Sequence, residues 1–331
     1  MKQVQIHGPG DVRVDEAPEP EAGPRDVVVE VAACGICGSD LRYVRLGGLA
    51  GPMPSPMPLG HELAGVVETV GAEVPDFKPG DRVVLNPTAG QKMIGNGGPE
   101  GGFTPRLLVR EVADGNLFHI PDGLPLERAA LAEPLGVGMN AVNQSEARPG
   151  DKVVIFGAGP IGLAAVATLA DRGVEDVISV DLSPRRLAIA KQLGARETLD
   201  ASKEDPWPRI RRLHGESPVL GAPMAGSDVY IEASGAAPLI PQIIGQAKSN
   251  ARLTVVALHD ERPVHFLLVM MKQLTIRGAM EYPDDYNDAI DLLARRDLSP
   301  MVSHTFPLDR FPEAFATAKY PQAGAKILVL P

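Results

Sequence analysis

Hydrophobic and polar positions in the first 130 residues follow a short, loosely alternating pattern that is typical of β-strands. Strands are predicted at residues 27–32, 63–70 and 82–85. The segments 47–58 and 89–102 are rich in glycine and lack any period. They are predicted to be long loops, of a length that is often functional.

From about residue 152 the pattern changes, because strand-like apolar runs now alternate with segments of helical period. Strands are predicted at 153–156, 176–180, 228–231 and 253–257, and helices at 161–172, 184–193 and 238–248. Ser183 is a favourable N-cap, Pro184 suits the first helical position and Gly194 suits a helix end. Alternation of this kind predicts βαβ units on a parallel sheet.

Beyond about residue 280 the pattern changes again. A helix is predicted at 284–295, and two short strands, 302–306 and 325–330, flank a last helix at 311–318. This segment is too short to hold a core of its own. We expect it to complete the first, β-rich domain.

Length and charge limit the possible functions. At about 150 residues per domain, 331 residues predict roughly two domains. Lys plus Arg number 32 and Asp plus Glu number 42, so the formal net charge is −10. An acidic chain without a basic stripe is a poor ligand for nucleic acid or an anionic membrane, because phosphate charge would not be neutralised. A small-molecule substrate is the expected partner.

The cysteines and the apolar segments predict a cytoplasmic location. The chain has two cysteines, Cys34 and Cys37, too close together to cross-link a protein of this size, and no signal-peptide pattern. Residues 153–170 carry no charge and are as long as a membrane span. Glycines interrupt that run, so a strand, a turn and a helix are the better interpretation.

A glycine-rich turn predicts a dinucleotide site. Gly157, Gly159 and Gly162 follow a predicted strand and open a predicted helix, with Pro160 and Ile161 at its start. The first glycine permits the tight turn, the second lets the backbone approach a pyrophosphate, and the third permits close helix–strand packing. The helix N-terminus then provides N–H donors to the phosphates.

The residue at the end of the next predicted strand indicates whether the dinucleotide is NAD or NADP. Asp181 lies there and can accept hydrogen bonds from the adenosine ribose, whereas it would repel a 2′-phosphate, so NAD is favoured over NADP. Arg186, with Arg185, is a further cofactor-binding candidate, and since a guanidinium can contact the 2′-phosphate, these two residues leave NADP as the alternative. The alternative is a glycine-rich turn that binds no ligand.

Single Cys, His and Glu residues, far apart in sequence, predict a catalytic zinc site. Cys37, His61, Glu62 and Glu133 offer a thiolate, an imidazole and carboxylates, which zinc accepts. One thiolate and one carboxylate neutralise Zn²⁺, and a second carboxylate would weaken its Lewis acidity. We therefore expect Cys37 and His61 to bind with one of Glu62 and Glu133 at a time.

Other interpretations of these residues are structural or redox roles. A histidine beside glycine is often structural, and Cys34-x-x-Cys37 is also the spacing of a redox pair. A redox pair needs a helix that starts at the first cysteine within a βαβ unit, and the pattern shows neither. Cys34 is expected to be a small buried residue.

Together these motifs resemble a known family. Cys37-Gly-Ser39-Asp40, Gly60-His61-Glu62, Glu133-Pro-Leu and the glycine-rich turn occur in the order of the zinc-dependent medium-chain dehydrogenases. The chain is most similar to the sorbitol, L-idonate and butanediol dehydrogenase branch. The resemblance covers essentially the whole chain.

The resemblance implies an α/β fold in two domains. A GroES-like β-rich catalytic domain would comprise residues 1–138 and 281–331, and a Rossmann domain with a doubly wound parallel sheet would comprise residues 139–280. It also implies one catalytic zinc, NAD as cofactor, and a homodimer or homotetramer. The four-cysteine lobe that holds a second, structural zinc in many members is missing from the sequence, so no structural zinc is expected.

The expected reaction is reversible hydride transfer between a secondary alcohol, with a polyol or vicinal diol favoured, and NAD. Ser39, two residues from Cys37, is expected to accept the hydroxyl proton. Arg42 stands where the family often has a relay histidine, and a guanidinium stays protonated. The proton is therefore expected to leave through Ser39, the nicotinamide ribose and water, or through Tyr43. Asp40 is expected to orient a ligand such as His61 or to cap a turn. Candidates for contact with substrate are Tyr43, Phe103 and His259, and packing in the core or in a loop is the other interpretation of each.

Two other functions are compatible with the sequence. One is a zinc-free NAD(P)H-dependent reductase of the same superfamily that acts on an enone or quinone. The other is a non-catalytic NAD-binding protein. The complete sets of metal-binding and dinucleotide-binding residues argue against both.

Overall fold

Two stretches that are distant in sequence, Met1–Glu133 and Tyr286–Pro331, form one unit of the computed structural model, and Pro134–Asp285 form the other. The structure describes residues 1–219, 221–259, 261 and 263–331. The last segment of the chain thus groups with the first. The unit boundaries lie at 133/134 and 285/286, whereas the predicted boundaries lay at 138/139 and 280/281.

The strands of the two units, in chain order, are β1 (Lys2–Gly8), β2 (Asp11–Glu16), β3 (Val27–Gly35), β4 (Met57–Pro58), β5 (Glu62–Val70), β6 (Arg82–Leu85), β7 (Arg106–Val109), β8 (Leu117–His119), β9 (Val153–Phe156), β10 (Val177–Asp181), β11 (Glu197–Asp200), β12 (Glu216–Val219), β13 (Ala222–Ala225), β14 (Val229–Glu232), β15 (Arg252–Val255), β16 (Thr275–Gly278), β17 (Val302–Pro307) and β18 (Lys326–Leu330).

The helices, in the same order, are α1 (Gly38–Leu46), α2 (Leu126–Ala129), α3 (Ala132–Ser145), α4 (Pro160–Asp171), α5 (Pro184–Leu193), α6 (Pro206–His214), α7 (Leu239–Gln246), α8 (Phe266–Lys272), α9 (Asn287–Arg295) and α10 (Phe311–Ala318). The predicted helices and strands are present, with ends that differ by at most three residues. The sequence pattern did not predict α1 or α3.

The first unit is built around β3, a strand of almost continuous apolar residues that is buried along most of its length. Its main sheet has the strand order β17-β18-β3-β5-β6-β8, and β7 also pairs with β3. Strand β18 runs antiparallel to the end of β3, where Val329 lies opposite Cys34 and Leu328 opposite Gly35. On the other side of β3, Gly35 lies opposite Glu62, so three strands meet at this point.

The second unit is a parallel sheet with the order β11-β10-β9-β14-β15-β16. The order reverses between β9 and β14, which is the doubly wound Rossmann arrangement, and dinucleotides bind at the carboxyl ends of the strands at such a point. All four residues of β9 are buried, as a central parallel strand requires. This sheet confirms the predicted fold class.

The uncharged run 153–170 is divided between β9 and α4 by the glycine-rich turn. Helix α4 is only 12 residues long, shorter than the roughly 20 residues that span a bilayer. Nowhere in the described residues is there a helix with the length and apolar character needed to cross a membrane.

Candidate active site and cofactor site

Cys37 lies at the junction between β3 and α1. It is the N-cap of α1, with extended backbone angles of φ −95° and ψ 156°. The Oδ2 atom of Asp40 accepts a hydrogen bond from the backbone N–H of Cys37 at 2.9 Å, which fixes the first turn of the helix. The helix begins after the second cysteine and Cys34 lies in β3, fully buried. This geometry is not that of a thioredoxin-like redox pair.

His61 and Glu62 enter the same site from the start of β5. Gly60 precedes them with φ +98°, and a Cβ atom there would lie 2.6 Å from the backbone nitrogen of Phe103. Only glycine fits this position without displacing backbone. The bend carries His61 and Glu62 into the interior, where they are 2% and 0% exposed.

The three side chains form a candidate metal centre. One donor atom from each of Cys37, His61 and Glu62 lies within 4.8 Å of the others. No second group of three such donors was found in the described part of the chain. His61 and Glu62 are buried and Cys37 is half-buried, and a thiolate, an imidazole and a carboxylate fit zinc in type and number.

Asp40 and Ser39 contact the candidate metal centre through His61. The Oδ1 atom of Asp40 lies 3.5 Å from His61 Nδ1, and these two buried atoms have no hydrogen-bond partner among the described residues. On the other side of the ring, the Ser39 hydroxyl lies 3.4 Å from Nε2. Asp40 therefore caps α1 and also lies where it can orient His61, so it combines the two roles considered for it.

The charges around His61 favour a cation. Burial acts to lower the pKa of His61, but the negative charges of Asp40 and Cys37 outweigh it and raise that pKa well above its usual range. Burial raises the pKa of Asp40 to about 6. A buried site that attracts a proton so strongly is a site where a divalent cation can take the place of that proton.

The glycine-rich turn of the second unit has the conformation that its sequence predicts. Gly157 has φ +100°, and a Cβ at Gly162 would lie 1.8 Å from the Gly157 carbonyl oxygen. Gly159 is different, since a Cβ there would have no neighbour closer than Arg186 Nη1 at 4.0 Å. The first and third glycines thus serve the fold, and the second leaves open space where a pyrophosphate can approach. Pro160 and Ile161 form the first turn of α4.

Asp181 stabilises this turn from the end of β10. Its Oδ2 atom accepts a hydrogen bond from Ala158 N at 2.6 Å, and its Oδ1 atom accepts one from Ser183 N at 2.8 Å. A carboxylate has about four lone-pair positions, so two remain for ribose hydroxyls. Burial lowers the pKa of the Arg186 guanidinium, and the negative charge of Asp181 opposes this shift.

Both units match known families. Residues 23–122 match an alcohol dehydrogenase GroES-like domain, and residues 160–295 match a zinc-binding dehydrogenase domain. Sorbitol dehydrogenase of Homo sapiens is 36% identical over 346 aligned residues, which cover 98% of this chain and 94% of that protein. The chain belongs to the zinc-binding alcohol dehydrogenase family.

Solved structures of this family superpose on the whole chain. The 2R,3R-butanediol dehydrogenase from Bacillus subtilis has a TM-score of 0.86 at 30% identity and covers 100% of this chain and 99% of its own. Galactitol-1-phosphate dehydrogenase from Escherichia coli has a TM-score of 0.83 at 28% identity, with 100% of both chains covered. The predicted family, fold and oxidoreductase class are confirmed, and zinc and NAD(P) are the cofactors of such a protein.

The structure separates the other predicted site residues of this dehydrogenase into different environments. Glu133 lies in the first turn of α3, 7% exposed, and its negative charge helps to raise the pKa of His61. Tyr43 is half-buried on α1 and its hydroxyl donates to Asn96 Oδ1 at 3.1 Å. Burial, then the charges of Cys37 and Asp40, raises the pKa of Tyr43 to about 12. Tyr43 therefore stays protonated at neutral pH.

Of the predicted substrate contacts, Phe103 needs correction, whereas His259 stays a prediction. Phe103 is fully buried in the core of the first unit and packs against Phe311, with ring centroids 5.1 Å apart. Its ring has no surface left for a substrate. His259 belongs to the second unit, where its Nε2 atom lies 2.6 Å from the buried carboxylate of Glu232. In this structure His259 is a partner of Glu232.

One residue of the site was missed. Lys326, the first residue of β18, is 1% exposed and forms an ion pair with Glu62. A signal existed, because Lys326 is in phase with Leu328 on the two-residue period of a buried strand. A lysine on the apolar face of such a strand requires a buried partner.

Proposed function

We propose that this protein is an NAD-dependent dehydrogenase that oxidises a secondary alcohol reversibly, with polyols and vicinal diols as its substrate class. The observation that carries the proposal is the convergence of the half-buried Cys37 with the buried His61 and Glu62. The substrate class is supported by relatives that are sorbitol, butanediol and galactitol-1-phosphate dehydrogenases.

In the proposed mechanism Cys37 and His61 hold zinc together with Glu62 or Glu133. Bound zinc supplies a Lewis acid that lowers the pKa of a substrate hydroxyl, and NAD supplies the hydride acceptor. Ser39 Oγ would relay the hydroxyl proton, accepting it while passing its own proton on to water, because it lies beside His61 and a hydroxyl both accepts and donates. Tyr43, with its pKa raised to about 12, is a hydrogen-bond donor and takes no proton at neutral pH.

The proposed preference for NAD rests on Asp181. Its carboxylate lies at the edge of the glycine-rich turn, where it can accept two ribose hydroxyls and repel a 2′-phosphate. Arg186 lies beside Gly159 and would contact the adenosine end of either dinucleotide.

Elemental mass spectrometry and a substrate screen test the function together. Protein purified without chelators is expected to hold about one zinc per chain and to reduce NAD⁺ with vicinal diols or polyols. Primary alcohols of similar size are the control and should react more slowly. A zinc content near zero with reduction of an enone or quinone would indicate the zinc-free reductase. Dinucleotide binding without turnover of any alcohol would indicate a non-catalytic protein.

We also propose that the protein is a homo-oligomer, a dimer or a tetramer. Strand β16 is the last strand of its sheet and all four of its residues are exposed. Near it in sequence, α8 exposes Phe266 and Met270, which are 74% and 67% exposed, and Met280 is 77% exposed. A free strand edge and large exposed apolar side chains favour association.

Light scattering coupled to size-exclusion chromatography tests this proposal. The wild-type mass is expected to be two or four times that of the chain, and Met270→Glu should reduce it. Tyr320→Glu is the matched control, since Tyr320 is 69% exposed in the other unit. A monomeric wild-type protein, or an equal effect of both variants, contradicts the proposed surface.

A cytoplasmic location is proposed on the chemistry of the two cysteines. Cys34 and Cys37 are both free thiols, and a thiol that binds zinc must stay reduced. Fractionation of cells that produce the full chain checks it. Recovery of the protein in an oxidising compartment would overturn it.

A further inference from the structure

Lys326 places a positive charge next to Glu62, one of the three residues of the candidate metal centre. Its Nζ atom donates to both carboxylate oxygens of Glu62, at 2.6 Å for Oε1, and to the carbonyl oxygen of Ile36 at 3.0 Å. The two side chains are 1% and 0% exposed. Protein groups therefore satisfy all three donors of the ammonium group and engage both oxygens of Glu62.

The contact between Lys326 and Glu62 requires a residue without a side chain on the strand that lies between them. Lys326 lies on β18 and Glu62 on β5, with β3 between the two strands. At the crossing point β3 carries Gly35, where a Cβ would lie 2.1 Å from Glu62 Oε2 and 3.1 Å from Lys326 Cδ. Glycine at this position allows the two side chains to meet across the middle strand.

The effect of Lys326 on the metal site follows from the net charge of the side chains around it. The Cys37 thiolate and the Glu62 and Glu133 carboxylates carry three negative charges, of which Zn²⁺ balances two. The ammonium group of Lys326 balances the third. A fourth carboxylate, that of Asp40, accepts the Cys37 N–H at the N-terminus of α1, where the partial positive charge of the helix end stabilises it.

We propose that Lys326 is a positioning residue that holds the Glu62 carboxylate as a weakened, exchangeable zinc ligand and keeps the loaded site neutral. This inference rests on the proposed zinc site at Cys37 and His61. A neutral loaded site binds zinc less tightly than an anionic one, and in return the zinc keeps more of its Lewis acidity. Lys326 thus lowers metal affinity and favours ionisation of the substrate hydroxyl.

Zinc affinity of the full chain, measured by competition with a chromophoric chelator, tests the proposal. Lys326→Met keeps the length of the side chain but removes the charge, which frees Glu62 to bind. It is expected to bind zinc at least about tenfold more tightly than wild type. Lys326→Arg, which keeps the charge, should match wild type within about threefold, and so should the double variant Lys326→Met/Glu62→Gln.

Cobalt substitution gives a second readout. The visible bands of the Co²⁺-loaded protein should change in Lys326→Met, as Glu62 joins the ligands, and return in the double variant. A purely structural role predicts the opposite sign, with weaker zinc binding in Lys326→Met. Equal or weaker affinity in that variant therefore overturns the inference while the zinc site itself stands. Zinc binding that is unaffected by Cys37→Ala would instead overturn the proposed function.

Discussion

Replacing Cys37 by alanine is expected to remove zinc from the protein and to reduce alcohol oxidation by about a thousandfold or more. Cys37 provides one of the three donor atoms that lie within 4.8 Å of one another. The loss follows because a Lewis acid contributes several kcal/mol to transition-state stabilisation, and each 1.36 kcal/mol is about tenfold in rate. Elemental analysis and steady-state turnover of the variant measure the two effects.

Cys34→Ala is the matched control for this experiment. Cys34 is fully buried in β3, outside the group of three metal donors, and burial raises the pKa of its thiol well above the usual range. We expect this variant to keep its zinc and most of its activity. Both variants should still bind NAD⁺, since the glycine-rich turn lies in the other unit. Full activity in Cys37→Ala would rule out the catalytic zinc.

Replacing Asp181 by alanine is expected to weaken NAD⁺ binding by about 10- to 100-fold and to leave NADP⁺ binding nearly unchanged. Hydrogen bonds to a charged group contribute about 1.5–3 kcal/mol, and the variant loses those to the ribose. With NADP⁺ the loss is offset by relief of repulsion between two negative groups. Isothermal titration with both dinucleotides gives the ratio directly.

Local structure is the competing explanation, because Asp181 also accepts the N–H groups of Ala158 and Ser183. Ser183→Ala is a suitable control, since it removes the side-chain cap of α5 and leaves the Asp181 carboxylate in place. Its dinucleotide ratio should equal that of wild type. An equal loss of both dinucleotides in Asp181→Ala would end the case for a cofactor preference.

Regular hydrophobic patterns gave reliable predictions of the fold. The strand at Arg82–Leu85 and the helix at Phe311–Ala318 have the predicted ends, because each has a strong period and clear flanking signals. Helix α1 was missed because it begins with Gly38 and Ser39 and buries only Asp40 and Val44, so it has no apolar stripe. Its formation depends on the cap at Cys37.

Helix α3 was missed for a different reason. It contains Pro134, Gly136 and Gly138, which disfavour a helix in isolation. A Cβ at Gly138 would lie 2.4 Å from the Cβ of Ala164 on α4. Close packing of the two helices therefore requires the glycine, and this tertiary contact outweighs the local propensity.

Only those residues of the candidate site that belong to short sequence motifs were predicted. Cys37, His61 and Glu62 were identified because they stand in short, recognisable segments. Lys326 was not, because its partner Glu62 lies 264 residues away and no local pattern connects them. Phe103 was misassigned because an aromatic residue beside a loop has the same sequence appearance whether it lines a pocket or fills a core.

The pairing of β18 with β3 also has a consequence for how the chain is made. Strand β3 leaves the ribosome before the whole of Pro134–Asp285, and β18 only after it. The Rossmann unit is continuous in sequence and can fold as soon as it is synthesised. The first unit must wait for β18 to pair with the Cys34–Gly35 end of β3, beyond the residues that β7 covers. Lys326, whose positive charge balances Glu62, lies on β18 and is therefore also synthesised after the Rossmann unit. Nascent chains that stall after the Rossmann unit are therefore expected to expose both an unpaired strand edge and an unbalanced acidic metal site.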